Sequence, residues 1–278
     1  MESKKVWFIT GASKGLGLSV TKQLLQKGES VAATSRNATA LTAVFGNDYA
    51  ANFLPLEVDL TSSASIKTSM KAAVDKFGKI DVVVNNAGYG TGGALEELEE
   101  AEIQQSFDVN FFAVIKVIQA ALPYMRKAKS GHIINISSIA GFAPGLGWSV
   151  YGAAKAAING LSEGLANELN PLGIHVSVVS PGWFRTSFAK EESIALSEQQ
   201  LPDYEHIRTA HKKFKSTDGQ QIGDPDKVAA VFMELVSNPN PPIQLFMGSD
   251  AYDRATSKIN GLAQNMKTFK SLSLSTDF

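Results

Sequence analysis

Tyr151 and Lys155 stand four residues apart, the spacing that puts two side chains on one face of a helix and lets both reach a single ligand. A phenol with its ordinary pKa of ~10 moves protons poorly near neutral pH, and an ammonium within ~4 to 6 Å favours its ionised form. Lys155 is the expected ammonium, so Tyr151 is expected to titrate between ~7 and ~9 and to serve as a general acid or base. Ser138 lies upstream at the end of an apolar run and offers a hydroxyl to the same ligand atom. Each alone has a plain reading: Y-x-x-x-K as an amphipathic surface pair, Ser138 as a strand-end turn serine. The chemistry depends on context.

A second chemical signal is the turn Thr10-Gly11-Ala12-Ser13-Lys14-Gly15-Leu16-Gly17, between an apolar strand and a helix. Glycines there let backbone approach a pyrophosphate, and the exposed N–H groups and dipole of the helix start favour an anion. The spacing is G-x-x-x-G-x-G. The commoner G-x-G-x-x-G is not met, because Val20 stands where its third glycine would be. A P-loop is excluded, since no lysine follows Gly17. Gly11 to Gly15 also satisfies G-x-S-x-G, the nucleophile elbow of serine hydrolases, with Ser13 as nucleophile. Only ten residues precede Gly11, which leaves no room for the earlier strands and oxyanion loop that such an elbow uses.

These residues need elements to hold them, and the chain alternates β-branched runs with helical periodicity in the rhythm of a doubly wound parallel sheet. Strands are expected at 6–10, 31–35, 53–58, 80–84, 132–136, 175–179 and 244–247. Helices are expected at 16–27 (closed by Gly28), from Thr61 or Ser62 to 77, at 103–125, at 150–169 and from Asp224-Pro225 to 236. The expectation is one α/β domain over 1–278, Rossmann-like and doubly wound, its seven-stranded mostly parallel sheet covered by helices on both faces. A weakly periodic stretch, about 184–223, reads as a lid-like insertion, and about 250–270 as a helical tail.

In these motifs the chain resembles the short-chain dehydrogenases, over roughly residues 6 to 186. The glycine turn is similar to theirs, as are Asn85-Asn86-Ala87-Gly88 after the fourth strand, Tyr151 with Lys155, and Ser138 before them. Asn110 in the long helix, and Pro181-Gly182 with Thr186 after the sixth strand, complete the resemblance. It implies an oxidoreductase that interconverts a ketone or aldehyde and an alcohol by hydride transfer. Tyr151 would give a proton to the carbonyl oxygen, Ser138 would hydrogen-bond that oxygen, Lys155 would also hold the nicotinamide ribose, and Asn110 would carry a water link toward Lys155. The implied cofactor contacts are Thr10, Gly11, Ser13, Lys14, Gly15, Leu16, Gly17, Asp59 at the adenine, Leu60, Asn86, Ala87, Gly88, Tyr151, Lys155, Pro181, Gly182 and Thr186.

Charge at the end of the second strand indicates which dinucleotide. An NAD-type site carries an acidic residue there for the ribose hydroxyls, but this chain has Thr34-Ser35-Arg36. Arg36 offers a fork suited to a 2′-phosphate and Lys14 a second cation, a combination that resembles the NADP(H)-preferring members. A non-catalytic NADP-binding regulator would be marked by loss of Tyr151 or Lys155, and both are present. For the substrate, Tyr89, Phe142, Leu146, Trp148, Trp183, Phe184 and Phe188 are expected to share one apolar pocket that favours a hydrophobic carbonyl compound. Arg185 is the one candidate counter-charge.

Composition narrows the remaining classes. The chain has 278 residues, 44% hydrophobic and 19% charged, with a net charge of −1, so a nucleic-acid partner is not expected. Cysteine is absent, which removes disulfides and thiolate chemistry, and a cytoplasmic location is the default expectation. The apolar run at 6–9 is too short for a signal segment. Residues 131–154 carry no Asp, Glu, Lys or Arg but are broken by five glycines and Pro144, so no membrane span is expected. His132, His175, His206 and His211 lack metal-ligand spacing, and no catalytic metal is expected. His206 and His211 read as a solvated pair, and Glu96 to Glu102 as a solvated helix entrance. A homodimer or homotetramer fits the resemblance.

Overall fold

The computed structural model describes residues 4–46 and 48–278. In chain order the strands are β1 (Val6–Ile9), β2 (Ser30–Ser35), β3 (Phe53–Glu57), β4 (Val82–Asn85), β5 (Gly90–Gly92), β6 (Gly131–Ile136), β7 (Ile174–Pro181), β8 (Ile194–Leu196) and β9 (Gln244–Met247). The helices are α1 (Gly15–Gln26), α2 (Ala38–Phe45), α3 (Ser63–Phe77), α4 (Glu100–Phe107), α5 (Ala113–Ala128), α6 (Ser149–Leu169), α7 (Glu205–Ser216), α8 (Val228–Ser237), α9 (Ser249–Thr268) and α10 (Lys270–Leu274). Seven strands form the main sheet in the order β3-β2-β1-β4-β6-β7-β9, paired in parallel throughout. The strand order reverses between β1 and β4, which opens a crevice at their carboxyl ends.

Alternation along β1 shows why both faces of the sheet are covered. Val6 and Phe8 join the core that α3, α5 and α6 close with Ile66, Met70, Val117, Ile118 and Ile158. Trp7 and Ile9 point the other way, into the core that α1, α2 and α8 close with Leu24, Leu41 and Phe232. The run 100–128 is long and apolar enough to cross a membrane, but Val114, Val117, Ile118, Ala121 and Met125 are spent in the first of these cores.

Three features differ from the expectation. Helix α2 is absent from the elements expected from periodicity; it is eight residues long, and Asn37 caps it by accepting from the Thr39 and Ala40 N–H groups. The expected single helix at 103–125 is divided between α4 and α5 by π-type turns at Asp108–Phe112, centred on the fully buried Asn110. Within the segment 184–223, β8 pairs in parallel with β5 to make a second, two-stranded sheet. Contacts distant in sequence decide the π-type turns and the β5–β8 pairing, whereas α2 is a short helix marked locally by its Asn37 cap.

His132 on β6 is buried, with Nε2 3.0 Å from Ser177 Oγ. That hydroxyl donates to Pro242 O, so the histidine must be the donor to Ser177. Burial, then the nearby charges of His175 and Lys5, push its pKa down to about 3. The folded chain therefore binds this proton less readily than the unfolded one. The contribution is complete above the unfolded value of ~6.5 and is withdrawn as pH falls toward about 3. At pH 4 the loss is about 3 kcal/mol. Urea unfolding of wild type and His132→Gln at pH 7 and pH 4 should show the gap between them shifting by that amount. A constant gap would locate acid sensitivity elsewhere.

Candidate active site

A cavity of about 660 Å³ lies along the carboxyl ends of the central strands, in the crevice that the switch in strand order opens. Its wall includes Gly11, Ser13, Lys14, Gly15 and Leu16 from the first turn, Arg36 after β2, and Asp59 and Leu60 after β3. Asn86, Ala87 and Gly88 follow β4, Ser138 follows β6, Tyr151 and Lys155 come from α6, and Pro181, Gly182 and Thr186 close the far side. Of the expected site residues, Thr10, Gly17 and Asn110 stand behind this wall.

Each of those three holds up something that faces the cavity. Thr10 Oγ1 accepts from the Asn86 and Ala87 N–H groups, both at 3.0 Å, and Asn86 Nδ2 donates back to Thr10 O and Gly11 O. The two turns are thus stitched together. A Cβ on Gly17 would sit 2.5 Å from Asn86 Nδ2 and 2.6 Å from Gly11 O, so only glycine permits this closure. Asn110 is fixed against the Tyr89 backbone, accepting from its N–H at 3.1 Å and donating to its carbonyl at 3.0 Å. Gly88 is packed between that amide and the lysine, for its Cβ would lie 2.7 Å from Asn110 Oδ1 and 3.3 Å from Lys155 Nζ.

The first turn suits a pyrophosphate. Lys14 occupies the N-cap of α1 in extended backbone without a side-chain cap, leaving the N–H groups of the helix start for an outside partner. Arg36 makes none of the hydrogen bonds or ion pairs found among the described residues. Lys14 is engaged, with Nζ donating to Ser193 Oγ at 2.7 Å and Glu192 O at 3.0 Å. Asp59 accepts from the N–H and hydroxyl of Thr61 at 2.8 and 2.7 Å, and these bonds hold its carboxyl below the ordinary carboxylate range. The N-cap of α3 is Ser62.

Tyr151 and Lys155 share the inward face of α6, only 6% and 4% exposed. Tyr151 and Ser138 line the same cavity, and Ser138 Oγ accepts from the Ala140 N–H at 3.1 Å and so keeps its own proton available. Lys155 Nζ donates to Ile136 O at 2.9 Å and lies 5.9 Å from the centre of the phenol ring. The expected depression of the Tyr151 pKa is not found. Burial pushes the phenol up to about 12 against the opposing influence of the Ser138 hydroxyl, and burial brings Lys155 down to about 8. Desolvation outweighs attraction here because both side chains are buried and the ammonium is turned toward a carbonyl.

An aromatic wall continues from Tyr151. Trp148 meets Tyr151, His211 and Phe214 at centroid distances of 6.0, 5.0 and 5.4 Å, Phe214 meets Trp183 at 5.6 Å, and Phe188 meets Tyr151 at 6.0 Å. Tyr89 and Phe184 also line the cavity. Phe142 and Leu146 do not join this wall: Phe142 stacks on Phe246 at 4.9 Å, and Leu146 is turned to solvent. Phe214 was outside the expected pocket, although Ile207, His211 and Phe214 follow a helical i, i+4, i+7 pattern that marks an inward face.

Two further expectations are corrected on the same segment. His211 is buried against Trp148 and Gly147, where burial lowers its pKa, so it forms no solvated pair with the exposed His206. Glu97 is likewise buried, accepting from the Ala94 and Leu201 N–H groups and from Arg208 Nη1 at 2.7 Å. Burial alone would raise its pKa, but the bonds from Leu201, Ala94 and Arg208 hold it below the ordinary range. This pair fastens α7 over the aromatic wall. Arg185 does not line the cavity and donates instead to Gln221 O, whereas Arg254 from α9, which donates to Ala143 O, joins Lys14, Arg36 and Lys155 on its wall.

The histidines also bear on Ser13. His132 and His175 sit together in the sheet at 5.8 Å, His206 stacks near Tyr204 and His211 on Trp148, so each has its ring partner away from the glycine turn. A hydrolase elbow needs a histidine at its serine.

Comparison with known proteins agrees with this geometry. A family model described as short chain dehydrogenase matches residues 5–196. A curated relative, the 3-ketodihydrosphingosine reductase of Bacteroides thetaiotaomicron, is 36% identical over 244 residues, 88% of each chain. A solved short-chain dehydrogenase from Streptomyces avermitilis superposes with a TM-score of 0.91 at 34% identity, covering 99% of this chain and 100% of its own. The structure of ElxO with NADP bound superposes with a TM-score of 0.75 at 27% identity, covering 90% and 100%. With the parallel sheet, the stitched glycine turn, the half-buried serine and the buried tyrosine and lysine all in place, the chain belongs to the short-chain dehydrogenase family of oxidoreductases.

Proposed function

We propose that this enzyme is an NADP(H)-dependent carbonyl reductase, acting on a hydrophobic ketone or aldehyde and the corresponding alcohol. The observation that carries the reading is Ser138, Tyr151 and Lys155 gathered in an aromatic-walled cavity whose other end is an uncapped helix start flanked by Lys14 and Arg36. When bound, the dinucleotide supplies the hydride. The first turn would hold its pyrophosphate, Arg36 and Lys14 its 2′-phosphate, and Lys155 its ribose.

The protein's own part is proton management. A phenol held at about 12 keeps its proton throughout the neutral range and is suited to give it to a carbonyl oxygen. Ser138, with Oγ already accepting from the Ala140 N–H, directs its hydroxyl proton at the same oxygen and stabilises the charge developing there. Once Tyr151 has given up its proton, the Lys155 ammonium offsets the phenolate. Asn110 acts as a positioning residue that fixes Tyr89 and Gly88 beside Lys155. The segment 184–223 serves as a lid, pinned by Glu97–Arg208.

The aromatic wall supports a bulky apolar substrate, and the ketone-reductase name of the Bacteroides relative agrees. NADPH consumption screened across ketones, beside an NADH control, tests the reading. Aryl, alicyclic and long-chain ketones should turn over faster than small charged keto acids. The opposite ranking would refute the apolar assignment.

A further inference from the structure

Helix α9 changes character halfway along its length. Its first half is fastened to the loop that follows Ser138: Ala251 and Ala255 pack against Ile139, Arg254 donates to Ala143 O and Lys258 to Phe142 O. After Lys258 every residue to the end of the chain is exposed. The apolar stripe nevertheless continues without a break. Tyr252, Ala255, Ile259, Leu262, Met266 and Phe269 recur at alternating steps of three and four, the seam of a helix that packs against another helix. Met266 is 74% exposed, and Leu272 beyond it 71%.

A solvent-projecting helix of this kind is weak by itself. The projecting part of α9, residues 259–268, spans only roughly 15 Å before the chain leaves helical geometry at Phe269 and resumes in α10, short of the length at which an isolated helix is stable in water. Gly261 weakens it further. A lipid surface is a poor match, because amphipathic membrane helices carry rows of cations and this stretch has only Lys267 and Lys270. A helix of the same pitch and apolarity is the better occupant, and a second copy of this chain supplies one.

We infer that the projecting half of α9, with α10, pairs antiparallel with the same segment of a second copy. Parallel pairing at an interaxial distance of ~8 to 10 Å would drive the two globular bodies into each other, since both lie at the same end of the helix. An antiparallel register centred beside Met266 sets Leu262 opposite Phe269, with the two Met266 residues meeting near the two-fold axis and Leu272 of α10 flanking the seam. Lys267 then stands opposite Gln264 and Lys270 opposite Gly261, so no like charges are opposed. The exposed apolar surface of this stripe is on the order of 600 Å² per copy, close to the ~800 Å² per partner of a standard specific interface.

The absence of cysteine makes the test direct. In the full-length protein at micromolar concentration, Met266→Cys should cross-link to a covalent dimer on mild oxidation, and Gln264→Cys, on the opposite helix face, should not. Leu262→Asp should halve the mass measured by light scattering while near-ultraviolet circular dichroism, which reports the packed aromatic wall of the globular body, stays unchanged. The inference is overturned if Met266→Cys stays uncross-linked and Leu262→Asp keeps the wild-type mass. Sedimentation of the wild type, but not Leu262→Asp, with vesicles of anionic and zwitterionic phospholipid would likewise overturn it in favour of a membrane surface.

Discussion

Replacing Tyr151 by Phe is expected to lower kcat for ketone reduction by roughly 10²- to 10⁴-fold, the range that a positioned general acid contributes. The aromatic ring keeps its contacts with Trp148 and Phe188, so the wall survives and only the hydroxyl is lost. Binding of NADPH, followed by its fluorescence, should stay within about three-fold, because the helix start and the two cations are untouched. The wild-type pH profile should follow from burial. With Tyr151 held at about 12 and Lys155 at about 8, reduction should be flat through neutral pH and fall as pH rises above about 8, where the free enzyme loses the lysine charge that offsets the phenolate. Turnover retained in Tyr151→Phe would remove the residue from the chemistry.

The second large effect concerns the dinucleotide. Removing Arg36 and Lys14 together, each to Ala, should raise the NADPH KM by roughly 10²- to 10⁴-fold, since each charged hydrogen bond contributes about 1.5 to 3 kcal/mol. The NADH KM should change by less than about three-fold. The singles should differ. Arg36 faces the cavity with no competing partner among the described residues, whereas Lys14 must first leave Ser193 and Glu192, so Arg36→Ala should carry the larger share. Initial-rate kinetics with both cofactors decide the matter, and equal losses for NADPH and NADH would contradict the assignment to the 2′-phosphate.

Lys14 also links these predictions to the segment 184–223. Its bonds to Ser193 and Glu192 tie the phosphate turn to the stretch that carries Thr186 and Phe188, both on the cavity wall. Arg208 ties the other side of that segment to Glu97. The segment is thus held at both ends by cations, one of which is a proposed cofactor ligand.

The glycine turn, Asn86 to Gly88, Ser138, Tyr151 and Lys155 could all be read from the chain, because each sits within a few residues of a strand end or on one helical face. Local geometry alone brings such residues to the crevice of a parallel sheet. Alternation in β1 likewise reveals two covered faces without reference to the partners that cover them. Charge after β2 is equally local, which is why Arg36 stands out.

Burial, by contrast, belongs to the folded chain. Whether Lys155 lowers the phenol or water exclusion raises it depends on where the ammonium turns, and that is set by Ile136 O on a neighbouring strand. Glu97 and His211 look like surface residues in a polar stretch, yet packing between α7 and the turn before α4 buries both. Arg254 reaches the cavity from the far end of the chain, over a hundred positions from the Ala143 carbonyl that it touches. Periodicity and motif describe what a segment can do by itself. Only the tertiary structure decides which distant segment removes the water, and with it the charge state of the groups that react.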